Sequence, residues 1–177
     1  GSTFKMVTAA AALEEGLIDP EEWIDCEMGG ITLAGIRISD HKAFGTLTFR
    51  DVIAKSSNVG TIKTSLRLSN ASFYEAIRAF GFGRTTGLDL PGESPGLLMP
   101  VARWPALAKA YISFGQGIAI TPLQLALAFG AGGCSSSDSS GSTGADSKFV
   151  GLWHMSMASD PADPGFVYLG GTDFWRS

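Results

Sequence analysis

Cysteine and histidine are scarce, with two of each in 177 residues. Cys26 and Cys134 cannot build a disulfide framework or a zinc site. His41 and His154 sit in no metal-ligand spacing, so neither reads as a ligand. Clustered basic residues are missing too. Lys and Arg number 13 against 17 Asp and Glu, for a net charge of -4, which excludes nucleic acid as a main partner. No apolar run reaches the ~18 residues of a membrane span. The richest, Ile118 to Phe129, is interrupted by Thr121, Pro122 and Gln124. There is no secretory leader pattern. The chain opens on Gly1-Ser2-Thr3-Phe4-Lys5 without an initiator Met and reads as a cut piece of a longer protein, with any anchor or export signal upstream. What is abundant is core material: 45% hydrophobic against 17% charged residues, in a length that suits one domain and excludes wholesale disorder.

Residues 1–130 carry clear helix punctuation. The stretch 131–147 is Gly-, Ser- and Asp-rich and reads as a linker. Residues 148–177 hold Trp153, Phe166, Tyr168, Phe174 and Trp175 without a convincing period. Ser2 stands where a helix N-cap would stand, ahead of a helix over Phe4 to Glu15 with an Ala run that leaves a thin, closely packable face, ended by Gly16. Residues 24–45 suit short strands or an extended loop. Capping boxes at Thr48-Phe49-Arg50-Asp51, Ser72-Phe73-Tyr74-Glu75 and Thr121-Pro122-Leu123-Gln124 predict helices to about Lys55, Gly81 and Phe129. Phe73, Ile77 and Phe80 form a core face at helical spacing, and Asp19 to Glu22 reads as a solvated run.

Two polar pairs can carry chemistry. Ser2 and Lys5 are three apart, which puts both on one helix face. A serine hydroxyl needs a base to act as a nucleophile, and a desolvated lysine of lowered pKa can be one. Free N–H groups at the helix start can stabilise a developing oxyanion. Ser56-Ser57-Asn58 interrupts a helical pattern, so that a hydroxyl and an amide two residues apart can project into one cleft. Ser56 can then shuttle a proton from Lys5, and Asn58 can hold a substrate amide. Read blandly, the first pair is a cap and a solvated lysine, and the second is a polar turn between two helices.

Together these motifs resemble the first two of the penicillin-binding proteins, whose signature includes S-x-x-K. The segments STFKMVTAAAALEEG, GTLTFRDVIAKSSNVGTIK, FYEAIRAFGFGRTTGLDLPGE and ISFGQGIAITPLQLALAF resemble class B transpeptidases of the division and sporulation type. The resemblance covers about residues 1–130. It implies an α/β (α+β) fold like that of the penicillin-binding proteins and serine β-lactamases, here mainly the helical subdomain with an incomplete antiparallel sheet. It also implies peptidoglycan cross-linking by serine acyl transfer on D-Ala-D-Ala stem peptides, with no metal or organic cofactor. Ser2 is the implied nucleophile, Lys5 its base, and Ser56 and Asn58 the relay and substrate holder. Gly115 and Gln116 are the further substrate-binding candidates, although the glycines there are explained as well by a structural turn. The implied partners are stem peptides, the lipid-linked precursor, β-lactams as covalent inhibitors, and division or elongation proteins. The implied location is the extracytoplasmic, periplasmic face of the inner membrane, with the anchor outside this chain.

The chain departs from the family at its third motif. No Lys-Thr-Gly or Lys-Ser-Gly occurs, and Ser142-Thr143-Gly144 stands in the Ser-rich stretch without a strand pattern around it. A shifted reading frame or a divergent, truncated paralogue accounts for the break after Gly133. Two alternatives follow: a catalytically inactive fragment or binding module, and a β-lactamase or penicillin-sensing domain on the same fold. No Glu-containing deacylation motif supports the second.

Overall fold

The computed structural model describes residues 1–88, 91–133, 159–160, 163–169 and 172–174. A 3-10 turn, Ser2–Phe4, runs directly into α1 (Lys5–Glu14). Strands β1 (Trp23–Asp25) and β4 (Thr46–Thr48) pair antiparallel, as do β2 (Gly30–Leu33) and β3 (Ile36–Ser39). Helices α2 (Phe49–Ala54), α3 (Asn58–Arg67), α4 (Asn70–Ala79), α5 (Ala108–Ser113) and α6 (Pro122–Gly133) follow. Strands β5 (Ser159–Asp160), β6 (Asp163–Leu169) and β7 (Thr172–Phe174) make a further antiparallel sheet in that order. Helices and small antiparallel sheets thus make up the expected mixed architecture.

The Ala run explains the centre. Ala9 to Ala12 are at most 6 % exposed, and their small side chains let α1 touch α2, α3, α4 and α5. Phe4 is buried against Phe82, ring centroids 5.6 Å apart. Thr8 Oγ1 donates to the Ser113 carbonyl at 2.7 Å, tying α1 to α5 without leaving a buried hydroxyl unpaired. Phe73 and Ile77 are fully buried, as their spacing predicts, while Phe80 is half-buried and stacks on Phe82.

Several boundaries differ from expectation. Ser2 is not an N-cap: Gly1 holds that position, Ser2 lies inside the 3-10 turn, and no side chain caps it. The Ser72 box is displaced. Buried Leu68 anchors the chain one residue before Ser69, whose Oγ takes the Ser72 N–H at 2.9 Å, so α4 starts three residues earlier than the box suggests. Helices α3 and α5 were not anticipated as such. The Thr48 and Thr121 caps form as read, the latter reciprocally: Gln124 N–H to Thr121 Oγ1 at 3.1 Å and Thr121 N–H to Gln124 Oε1 at 2.9 Å. The α6 helix then continues past Phe129 to Gly133, three residues into the expected linker. The rest of that linker, Ser142-Thr143-Gly144 and His154 lie outside the described residues. The run from Asp19 is more than solvated surface, since Glu21 pairs with Arg50 and Glu22 with Arg67.

Helices α2 and α3 meet at Gly60, where a Cβ would lie 2.6 Å from both Val52 methyl carbons and 3.2 Å from Cys26 Sγ. Val52 is β-branched and fully buried, so it cannot swing away. Gly60→Ala is therefore expected to destabilise the fold by about 1–3 kcal/mol despite alanine's better helix propensity, read from the midpoint of denaturant unfolding.

Candidate active site

Two elements build the site. In the Ser2–Phe4 turn the Lys5 N–H bonds back to the Ser2 carbonyl, an i to i+3 link that eclipses the side chains of Ser2 and Lys5. Ser2 is exposed at the surface, with its hydroxyl unspent on capping. Lys5 is 2 % exposed, driven inward by the buried face of α1.

The second element is the junction of α2 and α3. Helix α2 ends in a Schellman motif: Ser57 N–H bonds to Val52 O at 2.9 Å and Ser56 N–H to Ile53 O at 3.0 Å. The motif requires a left-handed residue after the cap, and Ser56 supplies it at φ 56°. The equivalent positions ending α1, α4 and α5 are Gly16, Gly81 and Gly115. Serine thus stands where this chain otherwise uses glycine, a strain of about 1 kcal/mol or more. The strained turn presents both Ser56 oxygens to the buried amine. Lys5 Nζ donates to Ser56 O at 2.5 Å and to Ser56 Oγ at 2.7 Å, across 51 residues of sequence.

Immediately after, Ser57 caps α3 by accepting the Gly60 N–H at 3.0 Å. Asn58 Nδ2 donates to Ser39 O at 2.9 Å, leaving Oδ1 without a protein partner among the described residues. Asp40, at the end of β3, was missed by sequence reasoning. Its carboxylate accepts from Ser57 Oγ at 2.7 Å, from Val59 N–H at 3.0 Å and from Asn58 N–H. No fixed offset links Asp40 to the Ser56 turn, so no local motif advertises it.

Burial brings the Lys5 amine from 10.5 down to about 8, against the pull of Asp40, which favours the charged form. The depressed value means that holding Lys5 protonated opposes folding below about 8, and that stability rises between about 8 and 10.5 as the folded chain releases its proton first. A buried amine lowered to about 8, bonded to Ser56 and one turn from Ser2, is equipped to accept a proton from a hydroxyl once it is unprotonated.

Of the remaining candidates, Gly115 packs on the residue before Ser2: a Cβ there would lie 2.2 Å from Gly1 O. That close approach fixes the start of the Ser2 turn. Gln116 is exposed and lines a cleft of about 290 Å³ with Met99, Trp104, Tyr111 and Ile112. The structure therefore joins Lys5, one turn from Ser2, to Ser56, ties the side chain of Asn58, two residues further on, to Ser39 O, braces the Ser2 turn on Gly115, and places Gln116 in an apolar cleft. Among the described residues no group of His, Cys, Asp and Glu could hold a metal.

Ser2 thus stands one turn from a buried lysine that is bonded to the first residue of a Ser-x-Asn turn. The family model for the penicillin binding protein transpeptidase domain matches residues 1–131, and the chain belongs to that family. It is 42% identical over 128 residues to the penicillin-binding protein PbpB of Mycolicibacterium smegmatis, covering 71% of this chain and 20% of the relative. It is 36% identical over 126 residues to the peptidoglycan D,D-transpeptidase FtsI of Escherichia coli, covering 71% of this chain and 21% of that one. Among solved structures, a peptidoglycan glycosyltransferase of Burkholderia ambifaria superposes with a TM-score of 0.73 at 32% identity, over 75% of this chain and 42% of the other. Penicillin-binding protein 3 of Mycobacterium tuberculosis complexed with aztreonam superposes at 0.69 and 38% identity, over 75% and 30%. The chain thus spans about a fifth of the length of these curated relatives.

The strain at Ser56 is open to direct test. Ser56→Ala and Ser56→Gly both delete the hydroxyl that Lys5 holds, but only glycine accepts φ 56° freely. Urea unfolding is expected to show the Gly variant about 1 kcal/mol more stable than the Ala variant.

Proposed function

We propose that this chain is the nucleophile-bearing part of a serine D,D-transpeptidase that cross-links peptidoglycan. The observation that carries the reading is the buried Lys5 amine, held 2.7 Å from Ser56 Oγ at the foot of the exposed Ser2 turn. Ser2 Oγ attacks the carbonyl between the two terminal D-alanines of a donor stem peptide, and its proton passes to Lys5 Nζ. Collapse breaks the C–N bond, with the proton returned through Ser56 Oγ to the departing amine of D-alanine. An amine from a neighbouring stem then displaces Ser2 by the reverse path. Asn58 Oδ1 orients the substrate amide, Gly115 keeps the nucleophile turn in place, and Gln116 borders the bound peptide.

The reading extends to the whole protein. Its substrates are stem peptides on lipid-linked precursor and glycan, its inhibitors are β-lactams, and its company is the division or elongation machinery. Its place is the extracytoplasmic, periplasmic face of the inner membrane. Among the described residues no helix is long and apolar enough to cross a membrane. No cofactor enters the mechanism. Residues 1–130 act as the partial transpeptidase domain, with the Gly- and Ser-rich stretch beyond the end of α6 at Gly133 as linker and 148–177 as an atypical tail.

A second reading has its own observation. The 177 residues contain no Lys-Thr-Gly, the family's third motif, which favours a catalytically inactive fragment. Benzylpenicillin separates the two. Mass spectrometry of folded chain is expected to find one penicilloyl adduct per chain, on Ser2, absent in Ser2→Ala. Adduct in wild type but not in Ser2→Ala supports acyl transfer, and no adduct in folded material supports the inactive fragment. The labelling rate is expected to rise about tenfold per pH unit up to about 8 and to level off above it, because only the unprotonated Lys5 accepts the serine proton.

A further inference from the structure

We infer that Asp40 is a positioning residue for acyl transfer: its carboxylate clamps the Ser57–Val59 turn and thereby holds Ser56 against the Lys5 amine. The inference rests on the acyl-transfer reading above. Three donors from the α2–α3 junction converge on this one side chain: Ser57 Oγ, Asn58 N–H and Val59 N–H. The residue before it, Ser39, accepts the Asn58 side-chain amide. The end of β3 thus grips both residues that follow Ser56, while Lys5 grips Ser56 itself. Asp40 has a firm seat for this: its own N–H bonds to Gly29 O at 2.8 Å, one step beyond the β2–β3 ladder.

Two physical reasons make the clamp matter. A left-handed serine persists only where its surroundings over-determine it, and the Asp40 bonds fix the chain on the side of Ser56 that the Schellman motif leaves open. A carboxylate at the start of α3 also meets the positive end of the helix dipole. Its charge reaches Lys5, where it opposes part of the effect of burial. The other charged groups on elements packed against α1 are engaged elsewhere or exposed. Lys63 pairs with Glu27, Arg67 with Glu22, Lys55 with Asp51 and Arg50 with Glu21. Lys109 binds Leu68 O, Arg78 binds Gly83 O, and Glu75 is exposed, as are His41 and Lys42 beside Asp40 itself.

The test compares the unsubstituted chain with Asp40→Asn and Asp40→Glu. Trace acetic anhydride modifies only unprotonated amines, so Lys5 acetylation against pH, read by peptide mass spectrometry, gives its titration without recourse to enzyme activity. The asparagine can still accept from the two backbone amides but lacks the charge. Its Lys5 midpoint is expected to fall by roughly half a unit to one unit, and the glutamate variant is expected to restore it. A cap with only a structural role would lower thermal stability and leave the midpoint in place. An unshifted or raised midpoint in folded Asp40→Asn overturns the inference. Should that variant not fold, hydrogen exchange in the unsubstituted chain decides. The Asn58 and Val59 amides are expected to be protected at neutral pH, whereas open-chain exchange rates there overturn the clamp. Absence of a penicilloyl adduct on the unsubstituted chain counts against the acyl-transfer reading alone, since acetylation and exchange report on Asp40 independently.

Discussion

The rest of the structure depends on one buried amine finding two oxygens. Lys5 lies on the most buried face of the most buried helix, where an unpaired ammonium would be expensive. Its two bonds to Ser56 make that burial tolerable. They also dictate how α2 must end, because both the carbonyl and the hydroxyl of one residue have to face the same point. A left-handed turn at Ser56 achieves this, and serine accepts there a conformation that the Schellman ends of α1, α4 and α5 give to glycine. The packing supports the chemistry in turn. Small alanines on α1 and Gly60 on α3 bring three helices close enough for a lysine to span them.

Strain and burial are therefore coupled. A solvated lysine would need no partner but would keep its proton at neutral pH and could not serve as a base. A desolvated one yields the proton near the working range only if the site around it is rigid enough to exclude water. The Schellman bonds, the Ser57 cap and the Asp40 clamp supply that rigidity from three directions within four consecutive residues. The site is thus fixed by its support more than by the reacting groups themselves.

How far this could be read from the sequence follows from the range of each interaction. The Ser2–Lys5 pair, the stops at Gly16 and Gly81, and the boxes at Thr48 and Thr121 are local, and local spacing reveals them. The Ser72 box misled because Ser69, three residues earlier, satisfies the same rule and stands next to the buried Leu68. Ser2 resembled a cap because an N-cap and the first residue of a 3-10 turn stand side by side at the helix start. Helix α3 was obscured by its polar opening, Ser56-Ser57-Asn58, which reads equally as a turn. Asp40 was illegible because its partners lie 17 to 19 residues away on a different element. The two motifs themselves gave no contact between them: the bond from Lys5 to Ser56 closes a loop of 51 residues that only the fold specifies.

The central claim is that this amine is buried, bonded to Ser56, and ready to release its proton near neutrality. A nitrogen NMR titration of the Lys5 side chain in the folded protein tests it most directly. The account requires a single transition with a midpoint at about 8. A midpoint at the ordinary lysine value of 10.5 would show a solvated ammonium with no means of activating Ser2, and would contradict it.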